Sequence, residues 1–188
     1  MIGSGRPEVE GENLMKKLAL GVAAAALTCG VVTTVLAAPA VGEAAPEFRL
    51  QDQNFQWHDL GDYAGQWVVL YFYPKADTPG CTTEACEFRD NIFSFEDMGA
   101  VILGVSLDDV NSQKEFSEKY SLPFPLLSDA QQVVAERYGV LTEFFGNVVA
   151  DRQTFLINPQ GKIAKHYEEG VDPEAHSAEV LNDLKSLM

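Results

Sequence analysis

Apolar runs and helically spaced apolar residues alternate along the chain from about residue 67. Short runs rich in β-branched and aromatic residues predict strands, whereas apolar residues that recur every three or four positions predict helices. By these criteria the strands are 67–73, 100–106 and 125–128, and the helices are about 81–95, 112–120 and 131–138. A further N-terminal strand is predicted at 48–50.

The C-terminal part of the chain predicts a hairpin followed by a helix. Strands 154–157 and 162–167 flank a turn-forming sequence, and 173–187 has an amphipathic helical pattern. Because strands and helices alternate, we expect an α/β fold with a mostly parallel sheet covered by helices. The segment 41–188 is long enough for one hydrophobic core and therefore predicts a single domain.

One strand-to-helix turn carries the candidate chemistry. The run 67–73 ends at Pro74, and the turn that follows offers Thr78 as a helix cap and Pro79 at an early helical position. Cys81 is then expected in the first turn of a helix. Unpaired backbone N–H groups and the helix dipole stabilise an anion there, so this position favours the nucleophilic thiolate. The alternative is a buried structural cysteine, which would need no second cysteine at position 86.

These residues resemble the signature of the peroxiredoxins, Pro-x-x-x-Thr-x-x-Cys, here Pro74, Thr78 and Cys81. The continuation to Cys86 is similar to the bacterioferritin comigratory protein subgroup, also called the Q type. The resemblance covers about 41–188 and includes Arg152, which precedes a late predicted strand. It implies a thioredoxin-like fold with a central mixed β-sheet flanked by helices.

The resemblance also implies the reduction of hydrogen peroxide or an alkyl hydroperoxide. Cys81 would attack the peroxide, while Thr78 and Arg152 would hold the thiolate and polarise the O–O bond. The resulting sulfenic acid would condense with Cys86, and thioredoxin or a similar dithiol would reduce the bridge. Glu84 matches a family position and would either orient Arg152 or interact with the helix dipole as a first-turn acid.

Residues five apart on a helix are separated by about 7.5 Å of rise and roughly 140° of rotation. A disulfide needs Cα atoms no more than about 6.8 Å apart with converging side chains. If Cys81 and Cys86 lie on one helix, that helix must therefore unwind locally before the bridge forms.

Two other interpretations use the same cysteines. The protein could be a thiol-disulfide oxidoreductase of an oxidising compartment, or a non-catalytic module with a structural Cys81–Cys86 bridge. The first usually carries Cys-x-x-Cys, which is absent here. A non-catalytic module would not require Thr78 and Arg152 at the positions that match the peroxiredoxin pattern.

The first forty residues predict an export segment. Met15-Lys-Lys precedes an uncharged, alanine-rich stretch from 18 to 41, and small residues favour cleavage after Ala37 or Ala40. We therefore expect an exported protein in the periplasm or a lumen-like compartment, with a peroxiredoxin domain over 41–188. If uncleaved, the stretch is long enough to anchor the protein in a membrane. Met15 is an alternative start, and Cys29 is expected to be a passive residue of the signal.

The net charge of −15 excludes some partners and leaves others open. An acidic chain disfavours nucleic acid and anionic membrane surfaces. The three histidines lack metal-ligand spacing and are expected to be surface or hairpin residues, so neither a metal nor a cofactor is predicted. The apolar stretch 144–149 suggests loop packing, although it could flank the site or support a weak dimer. We expect a monomer or weak dimer.

Overall fold

The computed structural model describes Met1, residues 37–168 and residues 170–188. Its elements are, in chain order, β1 (Arg49–Gln51), β2 (Trp57–Asp59), β3 (Trp67–Phe72), α1 (Pro79–Asp90), α2 (Ile92–Glu96), β4 (Ala100–Ser106), α3 (Val110–Tyr120), β5 (Leu126–Ser128), α4 (Val133–Arg137), β6 (Leu141–Phe144), β7 (Asn147–Ala150), β8 (Gln153–Ile157), β9 (Ile163–Tyr167) and α5 (His176–Leu187). The expected export segment, with Cys29, lies outside the described residues except for its last positions. Across the described ranges, no helix is long and apolar enough to cross a membrane.

Seven strands form one mixed sheet in the order β2-β1-β5-β4-β3-β8-β9. Strand β4 pairs in parallel with β3 and β5, whereas the other neighbours pair antiparallel. The implied mixed sheet is confirmed, and the expectation of a mostly parallel sheet is wrong. Strand β8 follows the hairpin β6–β7 rather than a crossover helix, so it can run antiparallel to β3.

The central strand β3 is buried on both faces, which explains its continuous apolar run. Val68, Leu70 and Phe72 pack into the core on one side of the sheet. Val69 and Tyr71 point to the other side, where they join a cluster that includes Cys81. Since neighbouring residues of a strand face opposite ways, both layers of the core depend on β3. The reactive turn therefore starts from the most buried part of the molecule.

Most predicted elements are present, with shifted ends. The helix predicted over 81–95 is instead two helices, because α1 ends at Asp90 and α2 begins at Ile92. Three strands were missed, namely the short strand β2 and the two strands of the separate hairpin β6–β7. The expectation of loop packing for residues 144–149 is therefore wrong. Phe145 (φ 48°) and Gly146 (φ 76°) form the two-residue turn of the β6–β7 hairpin. Positive φ at both turn positions matches the twist of the two paired strands.

Candidate active site

The turn after β3 places Cys81 at the start of α1. Thr78 is the cap residue with extended backbone, and Pro79 is the first helical residue. The Thr78 carbonyl accepts from the Thr82 amide over 2.8 Å. The Thr78 hydroxyl does not cap the helix but donates to the Lys75 carbonyl over 2.9 Å. The predicted cap position is thus confirmed, although the cap uses the backbone rather than the side chain.

Cys81 is the third residue of α1 and only 2% exposed. Its sulfur accepts a hydrogen bond from Arg152 Nη2 over 3.2 Å. Gly80 allows this approach, because a Cβ atom at that position would lie 3.3 Å from the same nitrogen. The sulfur therefore meets both the N-terminal end of a helix and a fixed cation, two features that stabilise a thiolate.

Glu84 accepts a hydrogen bond from Arg152 Nη1, the terminal guanidinium nitrogen that does not bind Cys81. Its side chain is 1% exposed. Burial raises the pKa of Glu84 to about 7, and the attraction of Arg152 opposes that rise. Glu84 is the sixth residue of α1. The expectation of a first-turn acid is therefore wrong, and the structure brings Glu84 to the arginine instead.

Arg152 directly precedes β8, and its guanidinium contacts Cys81 and Glu84 of α1. Burial lowers the pKa of Arg152, but the charge of Glu84 and the contact with Cys81 outweigh it and raise that pKa. The guanidinium is therefore a permanent cation with both terminal nitrogens engaged. Arg152 thus directly contacts two other predicted site residues, Cys81 and Glu84.

Cys86 lies five positions after Cys81 on the same unbroken helix. It is partly buried, and both thiols are free. On a regular helix its side chain is rotated by roughly 140° from that of Cys81. The structure therefore does not bring Cys86 to the Arg152 side of Cys81.

A cleft of about 650 Å³ opens over the Cys81 sulfur. Pro74, Thr78 and Arg152 line it together with Cys81, and so do residues of the β6–β7 hairpin. On that hairpin Phe144 is 60% exposed, Phe145 is 89% exposed and their rings meet edge to face. This placement agrees with the alternative expectation that the apolar stretch flanks the site, rather than with the favoured loop packing. The dipeptide Gly146-Asn147 between apolar residues was the local signal for a hairpin turn here.

The histidines are only partly where the sequence predicted them. His166 is a hairpin residue on β9 and His58 lies half-buried on β2. His176 is 1% exposed at the start of α5, so the expectation of a surface residue is wrong there. Burial and the nearby Arg152 and Lys165 lower its pKa to about 4. Its Nε2 atom pairs with the Thr154 hydroxyl at 2.8 Å. Over the described ranges, no three potential metal ligands cluster.

Comparison with known proteins places this chain in a family. The model of the AhpC/TSA family matches residues 41–166. Peroxiredoxin Q of rice, described as chloroplastic, is 42% identical over 161 residues, which is 86% of this chain and 70% of the relative. Peroxiredoxin Bcp of Bacillus subtilis is 43% identical over 151 residues, which is 78% of this chain and 96% of the relative.

Solved structures agree with this assignment. Peroxidoxin BcpB of Mycobacterium tuberculosis is 36% identical and matches with a TM-score of 0.75, covering 80% of this chain and 99% of that one. PrxQ of Xylella fastidiosa is 35% identical with a TM-score of 0.75, covering 79% and 97%. The chain belongs to the AhpC/TSA family and has the thioredoxin-like fold of these peroxiredoxins. It is a thiol-dependent peroxidase similar to the Q and Bcp proteins.

Proposed function

We propose that this protein reduces hydrogen peroxide and alkyl hydroperoxides with Cys81 as the nucleophile. The observation that carries the proposal is the 3.2 Å hydrogen bond from Arg152 to the Cys81 sulfur. The thiolate attacks the terminal oxygen of the hydroperoxide, so an S–O bond forms while the O–O bond breaks. The other oxygen leaves with the electron pair, takes a proton and departs as water or an alcohol. Cys81 becomes a sulfenic acid.

Arg152 and Thr78 stabilise this transition state. The guanidinium keeps its charge at any working pH, and it faces the sulfur before the substrate arrives. Thr78 lines the same cleft three residues before the thiol, and Pro74 shapes its wall. To act on the sulfur or the peroxide as a donor, the Thr78 hydroxyl turns away from the Lys75 carbonyl, which it binds in this structure. Glu84 acts through Arg152, because a buried carboxylate on one guanidinium nitrogen fixes the direction of the other.

Cys86 resolves the sulfenic acid. Its sulfur forms an S–S bond with Cys81, the S–O bond breaks and water leaves. Since α1 runs unbroken through both cysteines, this step requires local unwinding between them. Thioredoxin or a similar dithiol then attacks the bridge through a mixed disulfide and returns both thiols. No cofactor enters this cycle.

The apolar hairpin β6–β7 binds the organic part of a hydroperoxide. Phe144, Phe145 and Val148 are exposed, and they face the cleft that contains Cys81 and Arg152. An alkyl or aryl group removed from water against these side chains gains affinity in proportion to the apolar area buried. Hydrogen peroxide has no such group and gains nothing.

The catalytic domain comprises residues 41–188. The protein is exported and acts as a monomer or weak dimer in the periplasm or a lumen-like compartment. The alanine-rich N-terminal stretch supports export, and the charge of −15 argues against nucleic acid partners. Sequencing the N-terminus of the mature protein tests the first point. A start at residue 38 or 41 supports cleavage, and a retained 18–41 segment contradicts it.

Peroxide consumption by two cysteine variants tests the proposed cycle. With thioredoxin supplied, Cys81→Ser should consume no hydroperoxide, whereas Cys86→Ser should complete about one turnover per molecule and then stop. The amount consumed is read with a peroxide-sensitive dye at a known protein concentration. Continued turnover by Cys81→Ser would contradict the nucleophile assignment, and continued turnover by Cys86→Ser would contradict the resolving role.

A further inference from the structure

Tyr120 contacts both ends of the segment that carries the two cysteines. Its hydroxyl donates to Asp77 Oδ1 over 2.7 Å, and its backbone carbonyl accepts from Arg89 Nη1 over 2.7 Å. Asp77 lies four residues before Cys81, and Arg89 lies three residues after Cys86. Tyr120 itself is the last residue of α3 and belongs to neither end of that segment.

Other contacts fix Asp77 and Tyr120 itself. Lys119 Nζ donates to the same Asp77 carboxylate over 2.7 and 2.8 Å. Asp77 has a left-handed backbone (φ 58°), which costs free energy in a residue other than glycine and so depends on such contacts. The Tyr120 ring packs edge to face on the buried Phe116, with the ring centroids 5.4 Å apart. Tyr120 is therefore anchored to the core while it binds the reactive segment.

We propose that Tyr120 is a positioning residue for the resolving step, because its contacts with Asp77 and Arg89 oppose the unwinding that brings Cys86 to Cys81. This inference rests on the proposed resolving role of Cys86. Unwinding of α1 moves Arg89, so its bond to the Tyr120 carbonyl must break. At the other end of the segment, the Tyr120 hydroxyl and Lys119 hold the left-handed turn at Asp77, so the start of the helix resists the same motion.

The contacts of Tyr120 decide between two fates of the Cys81 sulfenic acid. Attack by Cys86 gives the disulfide and water. Attack on a second hydroperoxide breaks another O–O bond, adds a second S–O bond and gives sulfinic acid and an alcohol or water. The second fate needs a folded active site, because Arg152 must still face the sulfur. A tighter hold by Tyr120 therefore lengthens the time in which peroxide inactivates the enzyme.

Two variants and a matched control test this inference. Tyr120→Phe removes the hydroxyl that binds Asp77 and also contacts Lys119. Arg89→Met removes the guanidinium that binds the Tyr120 carbonyl, and with it a cation that contacts Asp90 and Cys86. Tyr120→Phe is therefore the deciding variant, because it leaves the surroundings of Cys86 unchanged. Tyr63→Phe is the control, since it removes a hydroxyl that pairs with His58 elsewhere in the fold. Each protein receives increasing hydroperoxide with thioredoxin, and mass spectrometry gives the ratio of Cys81 sulfinic acid to Cys81–Cys86 disulfide. Stopped-flow measurement gives the rate of the first oxidation.

We expect the ratio of sulfinic acid to disulfide to fall about threefold in Tyr120→Phe and in Arg89→Met. A change of this size corresponds to the loss of one partly exposed hydrogen bond to a charged group. The rate of the first oxidation should stay unchanged, and Tyr63→Phe should match the wild type even if its melting temperature falls. An unchanged ratio in Tyr120→Phe, with the disulfide formed in the wild type, overturns the role of Tyr120. Absence of that disulfide in the wild type overturns the resolving role of Cys86, and this inference with it.

Discussion

Arg152 donates a hydrogen bond to the Cys81 sulfur over 3.2 Å, although 71 positions separate the two residues in the chain. The same guanidinium binds the buried carboxylate of Glu84 with its other terminal nitrogen. This geometry uses the planar fork of arginine, which offers two directed nitrogens at once. A lysine at the same position would have one ammonium group for both partners.

Arg152→Lys should therefore lower the second-order rate constant for hydroperoxide at least tenfold, or about 1.4 kcal/mol in the barrier. The positive charge remains, so folding should be little affected. Stopped-flow kinetics under single-turnover conditions measures the rate constant, and circular dichroism checks the fold. Arg49→Lys is the matched control, because Arg49 is exposed on β1. An unchanged rate constant in Arg152→Lys would reduce Arg152 to a structural residue.

Glu84 makes the free energy of unfolding decrease as the pH rises, which is the opposite of the usual effect of a carboxylate. Its folded-state pKa is about 7, above the ordinary value of 4.5, mainly because it is buried. Between these two values the folded state keeps a proton that the unfolded state releases. The contribution of this group to the free energy of unfolding is therefore fully present below about pH 4.5 and decreases as the pH rises through 7.

Glu84→Gln removes this titration, so its free energy of unfolding should change less between pH 5 and pH 8 than that of the wild type. Urea unfolding at the two pH values measures the difference, and other titrating groups cancel between the two proteins. Glu96→Gln, at the end of α2, is the matched control. The same loss of stability in Glu84→Gln and wild type would show that Glu84 does not titrate in this window.

Local sequence patterns predicted the reactive turn well, because its structure depends on neighbouring residues. The buried run before Pro74, the cap at Thr78 and the proline at the first helical position place Cys81 without any distant contact. The contact of Arg152 with Cys81 is different, since no pattern of spacing predicts a pair 71 positions apart. Only the family resemblance pointed to it.

The missed features have a common physical reason, which is that their structure is set by distant contacts. The antiparallel pairing of β8 with β3 depends on the whole sheet. The burial of His176 depends on Phe88 and Tyr167, whose rings surround it. The β6–β7 hairpin exposes its phenylalanines, and apolar character alone could not decide between loop packing and a surface beside the thiol.

Phe145→Ser should change the preference among hydroperoxides. We expect kcat/KM for cumene hydroperoxide to fall about fivefold, because part of an apolar contact is lost, while kcat/KM for hydrogen peroxide stays the same. Steady-state assays with both substrates measure the ratio. Phe93→Ser is the matched control, since Phe93 is 76% exposed on α2 and does not line the cleft. An equal loss for both substrates would exclude a role in binding the organic group.

Hydrogen exchange should detect the unwinding that the disulfide requires. In the reduced protein, the amides of α1 should be protected from the solvent. After oxidation by peroxide, protection should fall markedly in residues 81–95 and stay high in β4, which lies in the centre of the sheet. Mass spectrometry of the exchanged peptides measures both regions. Identical protection in the two states, with the Cys81–Cys86 bond demonstrated, would contradict the proposed unwinding.

The central claim is that peroxide oxidises Cys81 to a sulfenic acid, which Cys86 of the same chain converts to a disulfide. Peptide mapping after one equivalent of hydrogen peroxide tests this most directly. The wild type should yield one linked peptide that joins Cys81 and Cys86 within a single chain, and Cys86→Ser should yield a sulfenic acid on Cys81 that dimedone traps. Consumption of the peroxide with both thiols still free, or a bridge between two chains only, would contradict the account.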